Sequence, residues 1–181
     1  METYIALLRG INVGGKHILP MKNLVELLEG LQLKNIKTYI QSGNVAFQSK
    51  KIEKNRLAER IADKINNKFY FSPQVFVLDK KEFKRAVDLN PYSEVMTEGK
   101  NLHLTFLLHK PINPEIDSLQ ALQKNDEKFT LIDKVFYLYA PEGIGRSKLA
   151  GKIEKLLGVK GTTRNWNSVM KIKNIVESYA N

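Results

Sequence analysis

Three short segments of this chain concentrate groups that grip anions. The first, Arg9-Gly10-Ile11-Asn12-Val13-Gly14-Gly15-Lys16, sets a guanidinium, an amide and an ammonium among three glycines. Glycine reaches backbone angles closed to other residues and lets a ligand approach the main chain. A loop of this kind between a strand and a helix offers free N–H groups and the positive end of the helix dipole, which suit a phosphate or carboxylate. The same glycines equally suit a tight turn with no ligand. In the second segment Ser42 and Asn44 flank Gly43; their hydroxyl and amide can hold a ligand or shape a hairpin by bonding local backbone. In the third, Arg164, Asn165 and Asn167 surround Trp166. Arginine forks onto carboxylate or phosphate, and the indole can stack on a base or anchor packing at a helix start, where Thr162 or Thr163 would be the cap. The candidate ligand-binding residues are therefore Arg9, Asn12, Gly14, Gly15, Lys16, Ser42, Asn44, Arg164, Asn165 and Asn167.

No carboxylate lies in residues 9–25, 30–52 or 155–176, the spans that hold all three segments. General acid–base catalysis and magnesium binding ordinarily need one. Hydrolase and two-metal nuclease chemistry are thus disfavoured there, and no catalytic residue can be named. Gly10 to Lys16 fits the G-x-x-x-x-G-K string of a nucleotide-binding loop, but His17 stands where the magnesium hydroxyl belongs. The following helix is expected only near Pro20. His17, His103 and His109 show no metal spacing and the chain has no cysteine partner for them. No metal and no cofactor are expected. Arg146, Lys148, Lys152 and Lys155 form a basic stripe at helical spacing, suited either to a nucleic-acid backbone or to plain solvation, without the interleaved aromatics that stack on bases.

The elements that must position these residues follow from periodicity. Residues 4–8 read as a strand, 10–19 as a loop, and Met21, Leu24, Val25, Leu28 and Leu31 as one helix face. Residues 36–41 and 44–48 read as a hairpin around Ser42-Gly43, Leu57, Ile61, Ile65 and Phe69 as a second helix, and 74–78 as a fourth strand. That order, β-α-β-β-α-β, is the ferredoxin-like pattern. It puts the loop after the first strand and the hairpin at one end of the sheet, as neighbours forming a basic pocket. Asp79 suits the cap of a short helix through Phe83, Ala86 and Val87, and residues 90–100 carry the break between halves. The second half reads as a degraded copy: a strand at 102–108, a helix through Ile116, Leu119 and Leu122, strands at 128–132 and 135–139, a helix from Leu149 to Leu157 stopped by Gly158, and a last helix over 165–179. The expected architecture is α+β with two lobes, residues 1–90 and 91–181.

The three segments, in this order and spacing, resemble the domain of unknown function 1697 family of uncharacterised bacterial proteins, with Ser168 where threonine is expected. The resemblance spans nearly the whole chain. It implies a two-lobed α+β fold with ferredoxin-like halves and implies no activity, no catalytic residue and no cofactor.

Across 181 residues the net charge is +10, from 29 Lys+Arg against 19 Asp+Glu. Such an excess favours anionic partners, a phosphorylated small molecule or nucleic acid, though a lysine-rich surface also serves solubility. No apolar run reaches membrane-spanning length, the first residues lack a secretory pattern, and the lack of cysteine fits a reducing compartment. A cytoplasmic protein with no membrane partner is expected. Binding of a phosphate-bearing ligand leads; an enzyme using the same pocket as an oxyanion or phosphate clamp, and motifs that are structural and join the two lobes, stand beside it. Whether the protein is an enzyme, and its oligomeric state, stay open.

Overall fold

A computed structural model describes residues 1–94, 98–124 and 126–179. The fold is α+β, built on two four-stranded antiparallel sheets. It divides into two units, Met1–Arg85 with Met170–Asn181, and Ala86–Val169.

The first unit runs β1 (Glu2–Arg9), α1 (Met21–Glu29), β2 (Lys34–Tyr39), β3 (Asn44–Ser49), α2 (Lys54–Phe69) and β4 (Gln74–Asp79). Its strands lie in the order β2-β3-β1-β4. Tyr4, Ala6 and Leu8 point to one face of β1 and pack in a core with Leu24 and Leu28 of α1 and Leu57, Ile61 and Ile65 of α2. The four-residue recurrence in α2 thus marks a buried stripe, as the period demands. Pro20 caps α1 in extended conformation, its carbonyl accepting Leu24 N at 3.0 Å. Glu53 caps α2, its carboxylate accepting Asn55 N at 2.9 Å and Arg56 N at 2.6 Å. Those two bonds hold the Glu53 carboxyl below its ordinary pKa. At the end of β4, Asp79 and Glu82 exchange backbone bonds at 2.8 and 3.1 Å, a capping box that opens α3 (Lys80–Asp88).

The second unit holds β5 (Leu102–Leu107), α4 (Ile116–Leu122), β6 (Lys128–Ile132), β7 (Val135–Tyr139), α5 (Ile153–Leu157) and β8 (Gly161–Asn165). Its order, β6-β7-β5-β8, repeats that of the first sheet. The second half is therefore not a degraded β-α-β-β-α-α copy. The sequence reading misses β8 because Gly-Thr-Thr-Arg-Asn alternates in burial but not in polarity. Thr162 and Arg164 are buried while Thr163 is exposed. A hydrophobic period has nothing to detect there. The helix expected from Leu149 is also shorter: Ala150–Lys152 is a 3-10 turn, with Ala150 N donating to Ser147 Oγ at 3.1 Å, and only Ile153–Leu157 is α-helical before Gly158 at φ 66.

The last helix, α6 (Trp166–Glu177), begins in the second unit, and the chain beyond Val169 belongs to the first. A single cut at 90/91 does not anticipate this, because the tie is made by a tyrosine near the C-terminus. The register of β2 against β3 slips between Lys34 and Lys37, with Asn35 at φ 52. There the Tyr179 hydroxyl lies 2.7 Å from the Asn35 carbonyl and 2.9 Å from the Ala46 carbonyl. Lys37 Nζ sits 5.0 Å from the centre of the Tyr179 ring. Burial pushes the Tyr179 phenol up to about 12.

Tyr179→Phe removes the one proton that the two carbonyls share and is expected to cost about 1–2 kcal/mol in denaturant unfolding. Because the folded state favours the neutral phenol, its contribution is complete below the unfolded value near pH 10 and fades as pH rises to about 12. Wild type should lose stability over that window more steeply than Tyr179→Phe; parallel curves would refute the role given to the hydroxyl.

Candidate functional site

The loop after β1 and the β2–β3 hairpin meet at one end of the first sheet. Asn12 is the join. Its Nδ2 donates to Gln41 O at 2.8 Å and to Leu19 O at 3.0 Å, and its Oδ1 accepts Leu19 N at 2.8 Å. The amide is committed to backbone. Between its arms, residues 12–17 form a small finger: Lys16 N donates to Val13 O at 3.0 Å, Asn12 N to His17 O at 3.1 Å, and the tip residues Gly14 and Gly15 take φ 58 and 71. Positive φ at both central residues of a two-residue turn is the reason for the Gly-Gly pair. A side-chain carbon at either would meet open space. His17 Nδ1 lies 2.9 Å from Gly10 O, and its ring stacks on Phe71 at 4.7 Å. Lys16 is exposed and Arg9 half-buried. α1 begins only at Met21, so the lysine of the G-x-x-x-x-G-K string stands in a finger and not at a helix start.

The hairpin segment is equally occupied with local structure. Asn44 is buried, its Nδ2 donating to Ser42 Oγ at 2.8 Å and Tyr39 O at 3.2 Å. Gly43 has φ 74, and a Cβ on it would lie 2.6 Å from Leu8 Cβ and 2.8 Å from Ile11 Cδ1. Leu8 N donates to Gly43 O at 2.8 Å.

The third segment lies in the second unit. Arg164 is buried in β8, its Nη1 donating to Thr162 Oγ1 and to Thr163 O, both at 2.8 Å. Burial pushes its guanidinium down to about 10. Asn165, not a threonine, caps α6: its Oδ1 accepts Ser168 N at 2.9 Å. Thr162 serves Arg164, and Thr163 Oγ1 pairs with Thr105 Oγ1 at 2.8 Å. Asn167 is exposed and lies against Gly99, where an added Cβ would collide with its Oδ1. Trp166 is half-buried beside the same glycine. The expected site residues thus divide, Arg9 to Asn44 in one unit and Arg164 to Asn167 in the other. The histidines are unrelated: His17 is in the finger, His109 exposed, and His103 buried in β5, where desolvation lowers its pKa. Among the described residues no group of three or more metal-ligating side chains occurs, and no helix is long and apolar enough to cross a membrane.

A cation-lined cleft of about 460 Å³ opens at the other end of the first sheet, where β2 begins and β3 ends. Lys34, Lys50, Lys51 and Arg60, all exposed, supply four positive charges. Buried Leu31 and Leu33 and half-buried Ile52 supply its apolar part, with Gln32 and Ser49 between. Among the described residues no carboxylate lines it. Two acids of the adjoining segments are turned elsewhere: Glu53 to the α2 N–H groups, and Glu2, register partner of Ser49, to the Tyr4 hydroxyl at 2.6 Å. Lys54 is neutralised by Glu82 at 2.6 Å and Asp79 at 3.1 Å, whereas none of the four cleft cations forms an ion pair among the described residues. Sequence reasoning passed these four over. The signal available was the carboxylate-free span 30–52 with its Lys50-Lys51 pair; Arg60 joins only through the packing of α2. The second basic group, Arg146, Lys148, Lys152 and Lys155, is exposed but spread over two 3-10 turns and a five-residue helix, so it makes no continuous stripe.

A family model described as "Protein of unknown function (DUF1697)" matches residues 1–137. The fold is similar to the solved structure of a conserved bacterial protein from Streptococcus pneumoniae, with a TM-score of 0.71 and 23% identity over 97% of this chain and 98% of that one. No curated protein matches the chain.

Gly43→Ala must force a side chain into the 2.6 Å gap at Leu8 in a left-handed conformation. It should cost at least about 2 kcal/mol of unfolding free energy. Gly14→Ala, with open space around it, should cost about 1 kcal/mol, the conformational part alone. Equal losses in the two variants would contradict the close-approach argument.

Proposed function

From the premise that this chain belongs to the DUF1697 family, whose description assigns no activity, we propose that it binds a phosphate-bearing ligand in the cation-lined cleft of the first unit. The observation that carries this reading is that, among the described residues, four cations around one cleft form no ion pair and no carboxylate lines it. Like charges held together repel, and an incoming polyanion relieves that repulsion as it binds. Arg60 can fork onto two phosphate oxygens, and the three lysines act as point charges. Leu31, Leu33 and Ile52 suit an uncharged part of the ligand. Among the described residues no aromatic ring lines the cleft, so base stacking gains no support; a phosphorylated small molecule, or backbone contact to a nucleic acid, does. Binding is favoured over catalysis because, among the described residues, no carboxylate or histidine lines the cleft to move a proton.

The three family-like segments support a second, structural reading. The amides of Asn12, Asn44 and Asn165 are spent on backbone, and Arg164 is buried among its own strand. The same proposal takes each unit as a ferredoxin-like module, which the shared strand order supports. It sets the protein in the cytoplasm, which a chain lacking cysteine fits.

Titration calorimetry with tripolyphosphate tests the proposal. Wild type should bind with an affinity that falls as salt is added. Lys50→Glu/Lys51→Glu should weaken binding about a hundredfold or more, roughly 1.4 kcal/mol for each factor of ten, while Arg9→Ala/Lys16→Ala leaves it unchanged. Loss in the second variant and not the first would return the site to the glycine-rich finger. Equal binding by all three proteins would end the reading.

A further inference from the structure

The far end of the first sheet holds a second cleft, of about 320 Å³, beside the cation-lined one. Buried Thr3 and Gln48 line it, with Glu2, Asp79, Lys80 and Lys81. The two clefts adjoin. Met1 lines both, and the register partners Glu2 and Ser49 contribute one residue to each. Their charges differ. Among the described residues the first carries four cations and no carboxylate, whereas in the second two lysines stand against two acids. A phosphate is therefore drawn to the first cleft rather than the second.

Thr3 and Gln48 are partners across β1 and β3, so their side chains share a face of the sheet. Thr3 is 9% and Gln48 8% exposed, yet among the described residues Thr3 Oγ1 and Gln48 Nε2 form no hydrogen bond. The polar side-chain atoms sealed from solvent without a partner lie elsewhere among those residues, on Asn90 and His103. Thr3 Oγ1 and Gln48 Nε2 thus keep access to the cleft that their residues line. Gln48 Oε1 accepts the Asn35 side-chain amide, which fixes the Gln48 amide before any ligand arrives. Glu2 Oε2 accepts the Tyr4 hydroxyl at 2.6 Å, and its Oε1 has no partner among the described residues. Asp79 is engaged by Lys54 Nζ at 3.1 Å and Glu82 N at 2.8 Å.

The unbonded groups select the occupant. Gln48 Nε2 can only donate, Glu2 Oε1 can only accept, and the Thr3 hydroxyl does either. Hydroxyl groups meet all three demands, because each both donates and accepts. A phosphate would meet the first and third but is repelled by Glu2. A nucleobase has no ring to stack on, since among the described residues no aromatic side chain lines either cleft. Resting on the reading that the cation-lined cleft holds phosphate, we infer that the ligand is the phosphate ester of a sugar or other polyol. Its phosphates lie among Lys34, Lys50, Lys51 and Arg60, and its hydroxyls on Thr3, Gln48 and Glu2.

Titration calorimetry of the full chain with the bisphosphates of fructose, glucose and ribose tests the inference. Hexanediol bisphosphate, of equal charge but without free hydroxyls, is the reference, and tripolyphosphate reports on the cation-lined cleft alone. At least one sugar bisphosphate should bind wild type about tenfold or more tightly than hexanediol bisphosphate. Thr3→Val/Gln48→Met should abolish that advantage and leave tripolyphosphate binding at the wild-type level, which also shows the variant to be folded. Lys50→Glu/Lys51→Glu should weaken every ligand. If tripolyphosphate binds but no sugar bisphosphate exceeds hexanediol bisphosphate, the polyol inference is overturned and the phosphate cleft stands. An advantage that survives Thr3→Val/Gln48→Met overturns it likewise. If tripolyphosphate does not bind wild type, the reading beneath the inference goes, and the inference with it.

Discussion

The contact of Gly43 with Leu8 and Ile11 sets the register from which the first unit is placed. Its carbonyl accepts the Leu8 N–H at 2.8 Å, and the missing Cβ is what lets the two backbones come so near. A slip of one residue in β3 would turn Val45 and Phe47 out of the core and bring their neighbours in. Between β1 and β3 the same register runs unbroken to Glu2 opposite Ser49 at the far end, so the cleft cations that follow β3 are positioned by a glycine at the other end of the strands; on β2 the register slips between Lys34 and Lys37, and that irregularity sets Lys34 opposite Gln48. Asn12 and the Gly14-Gly15 turn complete that closure.

A motif can therefore matter without touching a ligand. The glycines, amides and arginine of the three segments have the composition of an anion site, yet their polar groups are largely turned inward. Lysines that no motif contains, Lys34, Lys50 and Lys51, stand exposed around a cleft with Arg60. Electrostatics explains the division of labour. A buried guanidinium such as that of Arg164 loses hydration, which is why its pKa is driven down to about 10. Exposed cations keep hydration and exchange it for a partner when one arrives.

Much of the fold was legible because apolar periodicity carries it. The helices through Leu57 and Ile65 and through Leu24 and Leu28, the hairpin around Gly43, and the cap at Asp79 all declare themselves in residue type and spacing. The adjacency of the first loop and the hairpin followed from strand direction alone. β8 did not declare itself, because its buried residues Thr162 and Arg164 are polar and bond within their own strand, which leaves no apolar alternation to read. Nor did the return of the C-terminal segment to the first sheet, which depends on one tyrosine hydroxyl finding two carbonyls at a strand irregularity. The cleft was half visible: a long span without carboxylates marked its lysines, but the contribution of Arg60 needed the packed position of α2.

The most direct measurement is a titration of ¹⁵N-labelled protein with tripolyphosphate followed by amide chemical shifts. The account predicts progressive, saturable shifts confined to residues 31–34, 49–52 and the neighbourhood of Arg60, with residues 10–17 and 40–44 unmoved. Shifts centred on the finger and hairpin, or none that saturate, would contradict it.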